Sequence, residues 1–446
     1  MAMQYRLPSC KIVVFQLCSV FRSSLWGINL LSGPSSKNEI LNLSHPSLSK
    51  RTNTWNKMTS LSPNAIQDAY TLIKPYVHTT PILTCKTLNA VASTPQSSGG
   101  AKPKLRFFFK CENFQRVGAF KARGAFHALL RLIQREGKQV VRDHGVVTHS
   151  SGLFQSYSSY SFFFFFFLWN FTFSNNRIGN HAQALALAAS TLGVPAYIVM
   201  PSISTPSKIA GTKSYGAEVI FSGSTAPERE AVVAEVRSKT GAYLIPPYDD
   251  ADIILGQGTT ALELDAQYTD LVQEHPELSA HSDGRKPKLD AVITPIGGGG
   301  LNAGVATYFS DKSTQVFGAE PSFQGGDDCR RGLAAGERVK AVKTLTIADG
   351  LRTPIGVKNW SVISDKSKVA GVYAVTEEQI KAALQLVLER MKLFVEPSSV
   401  VGLAVCLFDE EFRKLVEREG GEEGWDVGIV ISGGNTTVEA IAKLFS

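Results

Sequence analysis

Residues 289–309 read LDAVITPIGGGGLNAGVATYF. The first part is almost continuously apolar, as in a parallel strand covered by helices on both faces, and the part after the glycines reads as a helix. Between them stand Gly297, Gly298, Gly299 and Gly300. A strand-to-helix turn needs fewer glycines, and each costs conformational entropy on folding. The turn therefore reads as a place where backbone N–H groups converge on an anion at a helix N-terminus. It is neither GxGxxG nor followed by Lys-Ser/Thr, so a dinucleotide fold or a nucleoside triphosphate loop is not implied.

The same alternation of apolar runs and amphipathic stretches extends outward from residue 104, the pattern of an α/β protein with a mainly parallel sheet. LRFFFKCE, VVTH, VPAYIVMP, AEVIFSG, AYLIPP and VGIVIS read as strands. Helices are expected over 122–136, 207–215, 227–240, 257–268, 377–392 and 398–408. HPELSAHSDGRKPK reads as a polar surface loop, and no internal repeat of fixed period is found.

Two further motifs flank strands. In ENFQRVGAFKARGA, residues 112–125, Lys121 opens a helix. A lysine there opposes the helix dipole, and desolvation would lower its pKa and make it an amine nucleophile for a carbonyl cofactor. The alternative is a solvated surface lysine. Ser432-Gly433-Gly434-Asn435 follows the last strand. Ligands in open α/β sheets bind at strand carboxyl ends, so these glycine turns are expected to share one crevice.

The formal charge is +7, but residues 1–57 hold seven Lys/Arg against one acid, Glu39, which leaves the remainder nearly neutral. A general nucleic-acid binder is disfavoured. The leader is basic and Ser-rich, as in a transit peptide, or else marks an over-extended gene model whose true start is Met58; either way 1–57 is expected outside the fold. Cys10, Cys18, Cys85, Cys111, Cys329 and Cys406 show no CxxC pairing and no metal-ligand spacing, which suggests reduced thiols in an intracellular enzyme.

ENFQRVGAFKARGA, THSSG with NHAQA, PIGGGGLNAG, ERMKLFVEPSS and ISGGN occur in an order and spacing that resemble the fold type II pyridoxal-phosphate enzymes. Within these the chain is similar to the serine racemase and serine/threonine dehydratase family. The resemblance implies a tryptophan synthase β-like fold of two α/β lobes, each with a mainly parallel sheet flanked by helices: a large lobe, 58–144 and 250–446, and a small lobe, 145–249. It implies Lys121 as the Schiff-base lysine with Phe120 beside the cofactor ring, and Asn180 on the phenolic oxygen. Gly297, Gly298, Gly299, Gly300 and Leu301 would hold the phosphate, Ser432 would face the pyridine nitrogen, and Glu396 would lie near the cofactor.

Ser151 matches the family's second acid/base, which tilts the reading toward racemisation, since threonine-specific dehydratases often carry alanine there. Ser150, Ser151, Gly152, Asn180 and Gln183 form the expected substrate-carboxylate loop, and Arg229 matches a substrate-proximal arginine. Glu320, Gly326 and Asp328 resemble a divalent-cation site suited to Mg²⁺ or Ca²⁺. Arg116 and Val117 stand where a Lys and a Thr associated with nucleotide binding occur, so the ATP effector site of the animal enzymes lacks those residues. The implied activity is racemisation of serine, β-elimination of hydroxy amino acids, or both, with 3-hydroxyaspartate dehydration as the alternative. A cytoplasmic homodimer acting on a small amino acid is expected, without nucleic-acid or membrane partners, and mitochondrial if 1–57 is a genuine leader. The sequence stops soon after ISGGN, where biosynthetic threonine dehydratases continue into a regulatory domain.

One stretch breaks the pattern. Residues 153–179, with six consecutive phenylalanines at 162–167, split what would otherwise read SSGNHAQA. The apolar stretch around them is much shorter than the ~20 residues of a membrane span. Both phenylalanine codons are wholly pyrimidine, so the run encodes a tract like that preceding an intron acceptor site. A translated intron is the reading, and a catalytically impaired product is its corollary. Sequencing the spliced transcript is expected to show a message without codons 153–179; a mature message that retains them overturns the reading.

Overall fold

Among the described residues ten strands form in the order β1 (Ile82–Thr84), β2 (Leu105–Cys111), β3 (Val146–His149), β4 (Ala196–Pro201), β5 (Glu218–Ser222), β6 (Tyr243–Leu244), β7 (Ala291–Pro295), β8 (Gln315–Pro321), β9 (Gly371–Val375) and β10 (Trp425–Ile431). They belong to a computed structural model that describes residues 60–149, 179–204, 206–281 and 287–446. The leader, Ser150, Ser151, Gly152 and all of the 153–179 interruption but Gly179 lie outside the described residues.

Six strands make one sheet in the order β1-β2-β10-β7-β8-β9, and four make a second in the order β5-β4-β3-β6. Every pairing is parallel except β1 with β2. The period-2 pleat of the large sheet feeds two cores. Phe107, Phe109, Ile293, Ile429 and Ile431 enter one with the helix Val401–Phe408. Phe108, Val292 and Val430 enter the other with Tyr268, whose ring meets Phe108 edge-on at 4.8 Å. Burial on both faces is why these strands carry apolar runs without a polar side.

The third core joins the small sheet to the helices Lys121–Glu136 and Asn180–Leu192 through Phe126, Leu129, Leu185, Ile198 and Met200. It also takes in Ile73 of the helix Pro63–Ile73, whose N-cap Ser62 accepts from the Ala65 amide ahead of Pro63, the residue types favoured at those two positions. Thus the lysine-bearing helix is packed by residues from both sides of position 145.

Helix bounds differ from expectation in two instructive places. The helix read over 257–268 runs Ala251–Glu274, starting at the Asp250 cap. Its Gly256 is no breaker: an ideal Cβ there would lie 2.6 Å from the Gly124 Cα, so glycine lets two helices touch. The helix read over 377–392 is α only across Glu377–Leu386; a π turn, Val387–Met391, follows, and Lys392 ends it at φ 60.

Beneath the lysine helix lies a buried charge network. Arg123 donates to both oxygens of Glu112 at 2.8 and 2.7 Å and to both oxygens of Glu263 at 2.8 Å. Lys110 adds bonds to Glu263 and Gln267, each 2.7 Å, and to the Thr80 carbonyl at 2.8 Å. Two cations and two carboxylates compensate each other away from water. Glu263→Ala leaves two buried cations against the single carboxylate of Glu112, with Lys110 losing its paired carboxylate, and denaturant unfolding at neutral pH is expected to show a loss of about 3–5 kcal/mol.

Candidate active site

Parallel pairing places the carboxyl ends of β2, β10 and β7 side by side, and the loop that leaves each end carries one of the glycine motifs. After β2 the chain makes two short 3₁₀ turns, passes Val117 at φ 56 and Gly118 at φ 66, and enters the helix Lys121–Glu136. The loop after β10 is stitched to it. The Phe120 amide donates to the Ser432 carbonyl at 3.1 Å, and the Gly434 amide to the Gly118 carbonyl at 2.9 Å.

This stitching sets Lys121 at a helix start with no side-chain cap, its amine enclosed in the cavity between the loops. The amine donates to the Pro247 carbonyl at 2.9 Å and lies 5.0 Å from the centre of the Phe120 ring. Burial pulls its pKa down to about 8, against an opposing pull from Glu396. An amine so placed is a competent nucleophile near neutral pH.

The tetraglycine turn forms the facing wall. Gly299, at φ 91, caps the helix Gly300–Phe309, and among the described residues no backbone amide of 297–301 donates to a protein acceptor. Side chains are excluded here by packing as well as by function. A Cβ at Gly298 would lie 2.4 Å from the Tyr248 ring, and one at Gly297 would lie 3.0 Å from the Gly350 carbonyl. Asn359 and the Gly356 amide hold the Gly298 carbonyl at 2.5 and 3.1 Å, which leaves the N–H side of the turn for the cavity. A row of unengaged amides at a helix start fits a phosphate.

Asn180, Glu396 and Ser432 complete the lining. The Asn180 amide donates to Glu396 at 3.1 and 3.4 Å, and the Ser432 hydroxyl lies 3.2 Å from that of Ser399. Asparagine is a residue type favoured as a helix N-cap, and the position of Asn180 ahead of HAQALALAASTL invites that reading. Instead Gly179 is the cap residue and Asn180 the first helical one, because its side chain is committed to Glu396 and Asn435.

Other assigned residues lie apart. Gln183 and Arg229 are buried but do not line this cavity; Arg229 donates to the Ser224 carbonyl at 2.9 Å, and the Gln183 Nε2 and Arg229 Nε find no partner among the described residues. Glu320, at the end of β8, accepts from the Cys329 and Arg330 amides at 3.0 and 2.9 Å, and Asp328 from the Ile355 amide at 3.1 Å. Burial, then Asp328, pushes Glu320 well above the usual carboxylate range, and burial raises Asp328 to about 6. Gly326 sits against the Pro321 carbonyl. Among the described residues no group of three or more His, Cys, Asp or Glu is placed to hold a metal.

Sequence reasoning missed His181, Tyr248, Ser398 and the segment Asp349-Gly350-Leu351, all of which line the cavity. Tyr248 was the most findable, since it directly precedes the Asp249-Asp250 pair in which Asp250 caps a helix. Asp249 in turn accepts from the Val357 and Lys358 amides at 2.9 and 2.7 Å, fixing the segment that backs the tetraglycine turn.

An α/β scaffold whose crevice pairs a low-pKa lysine with an open anion cradle defines a class of enzyme that uses a phosphorylated carbonyl cofactor. The chain belongs to the family described as "Pyridoxal-phosphate dependent enzyme", which matches residues 172–433, and its fold is that of the fold type II members. It is 37% identical over 383 residues to the serine racemase of Arabidopsis thaliana, covering 85% of this chain and 95% of that one. The solved maize serine racemase is 35% identical with a TM-score of 0.66, over 86% of this chain and 96% of that chain. The solved T.th. threonine deaminase is 33% identical with a TM-score of 0.63, over 84% and 99% of the respective chains.

His181 gives the site a testable acid limit. Burial, then Lys121, lowers its pKa from 6.5 to about 3, so the folded ring stays neutral where an unfolded one is protonated. The unfolded state then binds more protons between these values, and stability is lost as pH falls below about 6.5. Denaturant unfolding from pH 7 to 4 is expected to show a shallower decline for His181→Gln than for the parent chain.

Proposed function

We propose that Lys121 holds pyridoxal 5'-phosphate and that the chain racemises serine, eliminates the β-hydroxyl of serine or threonine to give a 2-oxo acid and ammonia, or does both. The observation that carries this reading is one cavity that encloses an amine driven toward its neutral form and a row of unengaged amides at a helix start. Residues 297–301 suit the phosphate, Phe120 the face of the ring, Asn180 its phenolic oxygen and Ser432 its nitrogen. When bound, the cofactor supplies an electron sink for charge developing at the substrate α-carbon.

The chain's own groups then decide the outcome. The Ser432 hydroxyl is neutral and, unlike a carboxylate, cannot hold a pyridine nitrogen protonated, which favours proton exchange and β-elimination over reactions that need a long-lived carbanion. The Lys121 Nζ, with its pKa near 8, can take or return a proton at neutral pH. Inversion at one carbon needs a second proton carrier on the opposite face, the role we give Ser151; Ser150, Ser151, Gly152, Asn180 and Gln183 are assigned to the substrate-carboxylate loop, and Arg229 is assigned to the substrate's vicinity.

Glu320 and Asp328, with the Gly326 carbonyl, are assigned to a divalent cation, Mg²⁺ or Ca²⁺. Burial disfavours the charged form of both carboxyls, a cost that a hard cation would offset, and oxygen donors suit it. A cytoplasmic homodimer remains part of the proposal. The phenylalanine run at 162–167 favours a second reading, a product impaired because Ser151 is held apart from Asn180.

Pyridoxal phosphate uptake by the apo-protein, followed by visible absorbance, is expected to quicken with pH and level off above about 8, rather than rise toward the 10.5 of an ordinary lysine. Borohydride reduction and peptide mapping should place the adduct on Lys121, and chiral analysis with oxo-acid release should show D-serine, pyruvate or oxobutyrate. An adduct elsewhere sinks the reading; a folded but colourless chain favours the impaired product.

A further inference from the structure

Asn435 has no role in the chemistry above, yet its side chain joins three separate segments. Its Nδ2 donates to the Val117 carbonyl at 2.7 Å and to the Asn180 Oδ1 at 2.8 Å. Neither end of this relay can be reversed. A carbonyl only accepts, so the Asn435 NH₂ must face Val117; a carboxylate only accepts, so the Asn180 NH₂ must face Glu396. The remaining Asn435 hydrogen therefore meets the Asn180 oxygen. Asn435 at the oxygen and Glu396 at the nitrogen thus agree on which end of the Asn180 amide points which way.

The other branch of the relay has its own reason to exist. Val117 is β-branched and sits at φ 56, a conformation that costs energy and persists only where the surroundings over-determine it. Its carbonyl is held by Asn435, four residues before Lys121, and a Cβ on Gly118 would lie 2.8 Å from the Asn435 Oδ1. The Gly434 amide bonds the Gly118 carbonyl beside it.

We propose that Asn435 is a positioning residue: it presents the donor end of Asn180 to the cavity and at the same time pins the strained turn that delivers Lys121. The part that concerns the cofactor rests on the function proposed above; the part that concerns the two segments does not.

Asn435→Asp keeps the shape but replaces a double donor with an acceptor that faces two acceptors, and Asn435→Ala removes the donor without repulsion. In the full-length apo-protein, hydrogen–deuterium exchange of amides 116–121 and 180–183 is expected to rise together in both variants, by about tenfold for Asp and less for Ala, from the loss of a donor to two half-buried acceptors. Exchange in β7 and β8 should stay as in the parent. The Ala variant decides the matter if the Asp variant does not fold. In cofactor-loaded protein the pH midpoint of the visible band should move in both variants, because a purely structural prop would leave the donor on Asn180 and the midpoint unchanged. Parent-like exchange at either segment, or an unmoved midpoint in a chain that binds the cofactor, overturns the proposal. A parent chain that takes up no pyridoxal phosphate overturns the proposed function instead, and the exchange comparison still decides the role of Asn435.

Discussion

The site depends on β10 being paired in parallel, in continuous register, with β2 on one side and β7 on the other. Parallel strands send all their carboxyl ends the same way, so the loops carrying Lys121, Ser432 and the tetraglycine turn emerge as neighbours without any further instruction. Had one of these pairings been antiparallel, the lysine or the anion cradle would stand at the opposite edge of the sheet. The backbone bonds from Phe120 to Ser432 and from Gly434 to Gly118 then turn neighbouring loops into a single wall.

Electrostatics within that wall are divided. Around Arg123 every charge is matched, so the helix behind Lys121 rests on a neutral foundation. At the cavity the balance is incomplete: partial burial draws Lys121 toward its neutral form, His181 is held neutral, and the amides of 297–301 are left without acceptors among the described residues. Such unmet capacity is costly to maintain and is the mark of a place prepared for a ligand.

Much of this was legible in the sequence, for identifiable reasons. Strands buried on both faces show as unbroken apolar runs, and the glycines at 297–300 and 433–434 mark turns that side chains cannot occupy. Local signals failed where distant contacts decided the conformation. The helix read from 257 begins at 251, and its Gly256 is where a Cβ would meet the Gly124 Cα of the neighbouring helix. Asn180 reads as a cap, but Glu396 and Asn435 claim its side chain from far along the chain. The π turn at Val387–Met391 leaves no pattern in composition, and although the Asp250 cap beside Tyr248 is a local signal, the contact of its ring with Gly298 is made by a residue fifty positions away.

The placement of β10 also has a consequence for biogenesis. The strand that fills the gap between β2 and β7 is made after both, some three hundred residues beyond its first partner, so a ribosome-bound chain carries two open apolar edges in search of the same missing neighbour. Unpaired edges of this kind invite association between nascent chains. Expression at low temperature or with a holdase, rather than any change to the crevice, is where yield of the folded protein will be won.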